Sequence, residues 1–380
     1  MSRLHVVDLF AFHVYNLKEP RKLPAMEDKS STTMVINIKE SATPISKQIE
    51  QDSGSLNQIQ KTLQIVIITM GISPIVKPIL QSQHHVTGII ECAPHLQDKV
   101  KNKRLLYRIA RHMYHKIRKT PLNLAALARE KRIPYYYMAE GSSGDLEDWV
   151  KSQNPDLIVV FYMSQLLRKN IFSIPRCGAI NLHPSLLPKY RGPNPWFWTY
   201  YNHDLQSGVT VHYIDEGEDS GDIIYQESFD ISLGMTFRQL YNKAIEDVGI
   251  KLLIRTLDNI AAGNAPRYPQ IQTHSAQRAR SIQPDEGSKL IEWEKWPVQR
   301  IWHFLRGASK WTNILPKMRG IYNGQNWEIG GYETCLTDRT NKPGKIYSEK
   351  GKIFLACKDG KIILRRQFSV KNFIVGLFLS

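Results

Sequence analysis

The run Leu63-Gln-Ile-Val-Ile-Ile-Thr69 decides the fold. It is apolar and β-branched almost throughout, without the polar alternation of a half-exposed strand. It therefore reads as a strand covered on both faces, as in parallel sheets between helical layers. Met70-Gly-Ile-Ser-Pro74 then turns the chain toward a helix, with Ser73 able to cap it and Pro74 at its first position. Val86-Thr-Gly-Ile-Ile90 supplies the next strand. Further on, Leu122 to Arg132 reads as helix, Ile133 to Tyr137 as strand, Leu146 to Gln153 as helix and Asp156 to Phe161 as strand. This alternation predicts an α/β fold with a doubly wound, mainly parallel sheet of Rossmann type. The single Gly71 is not a G-x-G-x-x-G fingerprint, so no dinucleotide site is expected. Ligands of such sheets bind at the carboxyl ends of the strands.

Another apolar run, Ala179 to Leu182, is broken by Pro184, Pro188 and Gly192, which sets Asn181 and His183 where a buried strand becomes a loop. Alternate strand residues face the same way, so the amide and the imidazole converge on one space. Such a pair suits acyl transfer, in which a carbonyl oxygen becomes negative and needs preorganised donors while a group titrating near neutrality moves a proton. Asp219 lies in the acidic, glycine-containing loop Asp215-Glu-Gly-Glu-Asp-Ser-Gly-Asp222. A carboxylate brought beside His183 would favour the imidazolium and fix the ring. Taken singly, Asn181 could cap a turn, His183 could be a satisfied core histidine and Asp219 an Asx-turn residue.

The ordered string is more specific than its members: Asn181-Leu-His-Pro-Ser-Leu-Leu-Pro-Lys-Tyr-Arg-Gly192, then Gly208-Val-Thr-Val-His212, then Asp219-Ser-Gly-Asp222. This region resembles the catalytic domain of the formyltransferases that use 10-formyltetrahydrofolate as formyl donor. The resemblance runs from about Asp156 to Asp222 and less closely back to Leu63. It implies an enzyme that needs no metal and that transfers a formyl group from the folate to an amine, with Asn181, His183 and Asp219 in the catalytic positions. For the folate it implies contacts from Met163, Ser164 and Leu167, from Ser185, Leu186, Leu187 and Pro188, and from Glu216, Gly217 and Gly221.

Outside that region the chain is uneven. Residues 1–60 lack sustained periodicity and read as a partly disordered extension. Lys101 to Lys119 carries eight Lys and Arg, no acid and a helical apolar stripe. It reads as a basic amphipathic helix packed by its stripe, or as a contact to phosphates on the acceptor. Trp196, Phe197, Trp198, Tyr200 and Tyr201 form an aromatic cluster, mostly core, of which one or two rings could stack on an acceptor. Thr236 to Thr256 reads as a helix closing a catalytic domain of residues 61–258, and residues 259–284 as a linker. Residues 285–380 hold one or two helices and then short strands with glycine turns, which predicts a small C-terminal β-barrel resembling the family's OB-like domain.

The charge bears on the acceptor. The whole chain carries +16, and Ser281 to Ser380 alone has 17 Lys and Arg against 9 Asp and Glu, which suits a polyanionic partner. A tRNA, as methionyl-tRNA, is the first expectation. A nucleotide-linked amino sugar stacked on Trp196 or Trp198 is the alternative, because Pro193-Asn-Pro195 and the tryptophans depart from the sequence usual in tRNA-acting members. A non-catalytic folate- or nucleic-acid-binding protein is the further alternative. Cys92, Cys177, Cys335 and Cys357 are scattered without metal-ligand or disulfide spacing. The absence of a long apolar run or a signal-peptide pattern predicts a cytoplasmic protein without membrane contact.

Overall fold

The computed structural model describes residues 61–93, 123–138, 143–271, 277–282, 286–308, 315, 325–335 and 341–368. The N-terminal extension and the basic helix expected at Lys101 to Lys119 lie outside these residues.

A seven-stranded sheet forms the larger unit, from β1 (Gln64–Thr69), β2 (His85–Cys92), β3 (Tyr135–Met138), β4 (Leu157–Phe161), β5 (Ala179–His183), β6 (Gln206–Tyr213) and β7 (Ile223–Asp230). Its order is β3-β2-β1-β4-β5-β6-β7. The pairs from β3 to β5 are parallel, and β5–β6 and β6–β7 are antiparallel. The helices are α1 (Val76–Gln81), α2 (Leu124–Glu130), α3 (Gly144–Gln153), α4 (Lys169–Phe172), α5 (Pro195–Tyr201), α6 (Phe237–Tyr241), α7 (Ile250–Ala262) and α8 (Val298–Ala308).

The apolar run that opens the fold divides between the two faces of the sheet. Ile65 and Ile67 join a core with Leu124 of α2 and Leu253 of α7, whereas Val66 and Ile68 join a second core with Leu146 and Val150 of α3. This two-sided burial explains why the strand shows no polar alternation.

Two local features differ from the sequence expectation. Ser73 does not cap α1: the chain first closes a turn through Val76 N–H to the Ser73 carbonyl, the helix starts at Val76, and the Ser73 hydroxyl is buried without a partner. The helix expected from Thr236 to Thr256 begins with a Thr236/Gln239 capping box, then widens into a π-helical stretch, Asn242–Gly249, before α7 continues to Ala262. The wider turn lets the neighbours Ala244 and Ile245 both bury against the core.

The smaller unit is an antiparallel sheet of β8 (Gln325–Thr334), β9 (Ile346–Glu349), β10 (Lys352–Cys357) and β11 (Gly360–Phe368), in the order β8-β11-β10-β9. Helix α8 joins it to the larger unit. Phe304 meets Phe197 and Tyr201 edge-on, Trp296 meets Tyr201, and the Arg300 guanidinium donates to the Tyr201 carbonyl at 2.9 Å. One apolar core therefore runs through both units. Among the described residues no helix is long and apolar enough to cross a membrane.

Candidate active site

Strand β5 pairs with β6 so that Asn181 lies opposite His212 and His183 opposite Thr210. The loop after β6 returns over this edge. Asp215 Oδ1 accepts from Gly217 N–H (3.0 Å) and the Ser220 hydroxyl (2.7 Å), and Asp219 adopts a left-handed conformation with φ +51°. That conformation costs a residue with a Cβ about 1–2 kcal/mol, so the surrounding contacts must hold it. At Gly221 any side chain would collide with β6, since a Cβ would lie 2.0 Å from the Tyr213 carbonyl oxygen.

Asp219 is the centre of the arrangement. Its Oδ1 accepts from Asn181 Nδ2 at 3.2 Å, and its Oδ2 accepts from Gly192 N–H at 2.8 Å and lies 3.4 Å from His183 Nδ1. The three residues singled out in the sequence thus converge. A fourth stands with them: His212 Nε2 is 3.2 Å from Asn181 Nδ2 and 3.5 Å from Asp219 Oδ1. In the sequence His212 carries no sign of this role, because only the β5–β6 register places it beside Asn181.

Hydrogen-bond chemistry fixes the protons. His212 Nδ1 is 2.8 Å from the Tyr213 carbonyl and must donate to it, which turns Nε2 toward Asn181 and Asp219. The Asn181 amide must face Asp219 with nitrogen, since its oxygen would meet a carboxylate. His183 Nε2 donates to the Tyr190 carbonyl at 2.9 Å, which leaves Nδ1 toward Asp219. Burial pushes the His183 imidazole below its ordinary value, and the Asp219 charge offsets this only in part. The expectation of a standing imidazolium is thereby corrected: burial outweighs the carboxylate. Burial alone would raise the Asp219 carboxyl, but the attraction it exerts on His183 and His212 in their protonated forms, together with the Gly192 N–H, holds it below the usual carboxylate range.

The other expected contacts divide. Ser164 and Ser185 spend their hydroxyls inside the protein, on the Ala93 and Lys189 carbonyls, both at 2.7 Å. Leu167 and Leu187 are buried, Met163 is partly buried, Leu186 covers Gly208, and Pro188, half-buried, follows a cis peptide bond. Glu216 is exposed and ion-paired with Lys169 at 2.9 Å, while Gly217 and Gly221 shape the Asp219 loop. The aromatic cluster offers no open platform: Trp196, Phe197, Trp198 and Tyr200 are buried, and Trp198 Nε1 donates to the Arg280 carbonyl at 3.0 Å. Among the described residues no group of three or more His, Cys, Asp or Glu is placed to hold a metal ion.

A strand-end amide, imidazole and carboxylate thus converge where the sheet passes from parallel to antiparallel pairing. Residues 81–257 match the formyl transferase family and residues 282–372 its C-terminal domain. The chain is 35% identical over 236 residues to a methionyl-tRNA formyltransferase of Clostridioides difficile, covering 62% of this chain and 71% of that one. It is 31% identical over 256 residues to the methionyl-tRNA formyltransferase of Kosmotoga olearia, covering 67% and 80%. The chain belongs to the formyltransferase family. Its fold is also that of an N-formyltransferase from Helicobacter canadensis crystallised with folinic acid and dTDP-3-aminofucose, at a TM-score of 0.53 and 17% identity over 80% of this chain and 100% of that one.

Proposed function

We propose that this protein transfers the formyl group of 10-formyltetrahydrofolate to the amino group of methionyl-tRNA, with Asn181, His183 and Asp219 carrying the chemistry. The observation that supports it most is the single carboxylate of Asp219 held between the Asn181 amide and the His183 imidazole.

The acceptor nitrogen attacks the formyl carbon and a C–N bond forms while the formyl oxygen takes the negative charge. The Asn181 amide turns one N–H to that oxyanion, giving up one of its two internal acceptors. The proton leaving the nitrogen passes to His183 Nδ1, the ring nitrogen not committed to Tyr190. Asp219 stabilises the imidazolium as it forms. Collapse breaks the bond from the formyl carbon to the folate nitrogen, which takes the proton from His183. Tetrahydrofolate and the N-formyl product leave with atoms and charge balanced. Met163, Leu167 and the Leu186–Pro188 turn form the apolar side of the folate site, with the Asp215–Asp222 loop opposite.

For the acceptor, the relatives' names and the +16 charge support the tRNA. The buried tryptophans remove the ground for stacking a sugar nucleotide on an indole. The test offers methionyl-tRNA and a nucleotide-linked amino sugar together, across a salt series. Formyl transfer to the tRNA that weakens steeply with salt is expected; transfer to the sugar nucleotide alone contradicts the assignment.

A further inference from the structure

The segment after α7 reads in sequence as a linker, yet it is bound to the active-site loops along its described length. Tyr268 makes a two-way backbone bridge with Ile223 at the start of β7. Gln277 O accepts from Tyr190 N–H, and Ala279 donates to the Arg191 carbonyl and accepts from Asn194 N–H. Arg278 is ion-paired with Glu218. Between these anchors, Gln270 is saturated. Its Nε2 donates to the Asp219 carbonyl at 2.9 Å and the Gly221 carbonyl at 2.7 Å, and its Oε1 accepts from Arg191 Nε and Nη2 at 3.0 and 2.6 Å.

Gln270 therefore joins the two loops that meet at Asp219. One carries Asp219 itself in its left-handed conformation, with Gln270 on its carbonyl. The other carries Gly192, whose N–H aims the Asp219 carboxylate, and the adjoining Arg191 is gripped by the same glutamine amide. We propose that Gln270 is a positioning residue for formyl transfer, locking the Asp219 backbone and the Arg191–Gly192 peptide in the one arrangement that points the carboxylate at His183. The proposal rests on the catalytic reading of Asp219 given above. No side chain of this segment needs to touch the folate or the acceptor for it to act.

The test compares full-length wild type with Gln270→Glu, Gln270→Ala and Asp219→Ala. Gln270→Glu keeps an oxygen for Arg191 and the side-chain volume, so the chain folds, but it replaces both donors with an oxygen facing two carbonyls. Displacing Asp219 by up to about 1 Å would cost about ten- to a hundredfold in turnover. Both Gln270 variants are expected to lose that in kcat, with the KM for 10-formyltetrahydrofolate within about threefold. The acidic limb of the kcat profile shifts to lower pH as His183 loses its nearby charge. The circular dichroism spectrum of Gln270→Glu stays that of wild type, while its melting temperature falls because the new oxygen faces two carbonyls. If Asp219→Ala loses turnover while Gln270→Glu keeps kcat and the wild-type limb, the positioning role is overturned and the catalytic reading stands. If Asp219→Ala itself keeps turnover, both fall.

Discussion

Two edge-to-face histidine pairs occur among the described residues, His183–His212 at the candidate active site and His203–His303 where the two units meet, with ring centroids 6.3 and 5.3 Å apart. In the first pair, Asp219 stands between the rings and each ring nitrogen faces a partner. The second pair has no carboxylate between its rings. His303 Nδ1 accepts from Gly234 N–H at 2.8 Å, but His303 Nε2 and His203 Nδ1 are buried without a partner. Burial lowers His303 to about 4, with His203 and Arg306 adding to the effect, and burial and Arg300 lower His203 as well, which the Asp204 carboxylate beside it offsets only in part. One residue type thus serves two ends. A carboxylate set between two buried imidazoles eases protonation of the rings, whereas burial without one between them favours the neutral form and makes the pair an acid-sensitive joint.

Removing the carboxylate erases the difference at the active site. Asp219→Ala is expected to lower kcat about a hundred- to a thousandfold, measured as single-turnover formyl transfer, with the fold intact by circular dichroism. The junction answers instead in stability. The His303 value in the folded state lies below the ordinary 6.5, so the unfolded chain binds more protons between those values. The stability His303 contributes is present above pH 6.5 and is lost as pH falls toward 4, by about 3 kcal/mol in all. His303→Asn keeps an acceptor for Gly234 and should flatten this loss in urea titrations at pH 7.5 and 4.5.

The convergence of the candidate site was legible in large part because its members are close in sequence or carried by an ordered string. Asn181 and His183 alternate on one strand, and Asp219 lies in the loop that string predicts. The buried strands were legible from their unbroken apolar runs. His212, Gln270 and the His203–His303 pair were not, because each acquires its neighbours only through strand register or contacts between distant segments. The tryptophans of α5 were ambiguous for a related reason. An indole beside an active-site motif is equally consistent with a platform and with core, and only distant packing decides: Trp196 lies against Phe237 and Tyr241, and Trp198 Nε1 donates to the Arg280 carbonyl.

Gly234 sharpens the junction side of the comparison. It has φ +76°, and a Cβ there would lie 2.1 Å from the Trp302 ring. Gly234→Ala should destabilise the protein by about 2 kcal/mol or more, and thermal melting should register it. On the active-site side, His212→Phe keeps the bulk but removes the Asn181 acceptor. A loss of about tenfold in kcat/KM is expected, smaller than for Asp219→Ala, because His212 orients the amide without holding the travelling proton.

The contrast between the two pairs rests on what Asp219 does to His183, and the His183 ring can be followed directly by NMR of the histidine-labelled protein across pH, in wild type and in Asp219→Asn. Burial places the wild-type midpoint below 6.5 and the carboxylate pulls it part of the way back, so the midpoint should fall further in Asp219→Asn. A wild-type midpoint at or above 6.5, or one that Asp219→Asn leaves unmoved, would contradict the role assigned to the pair.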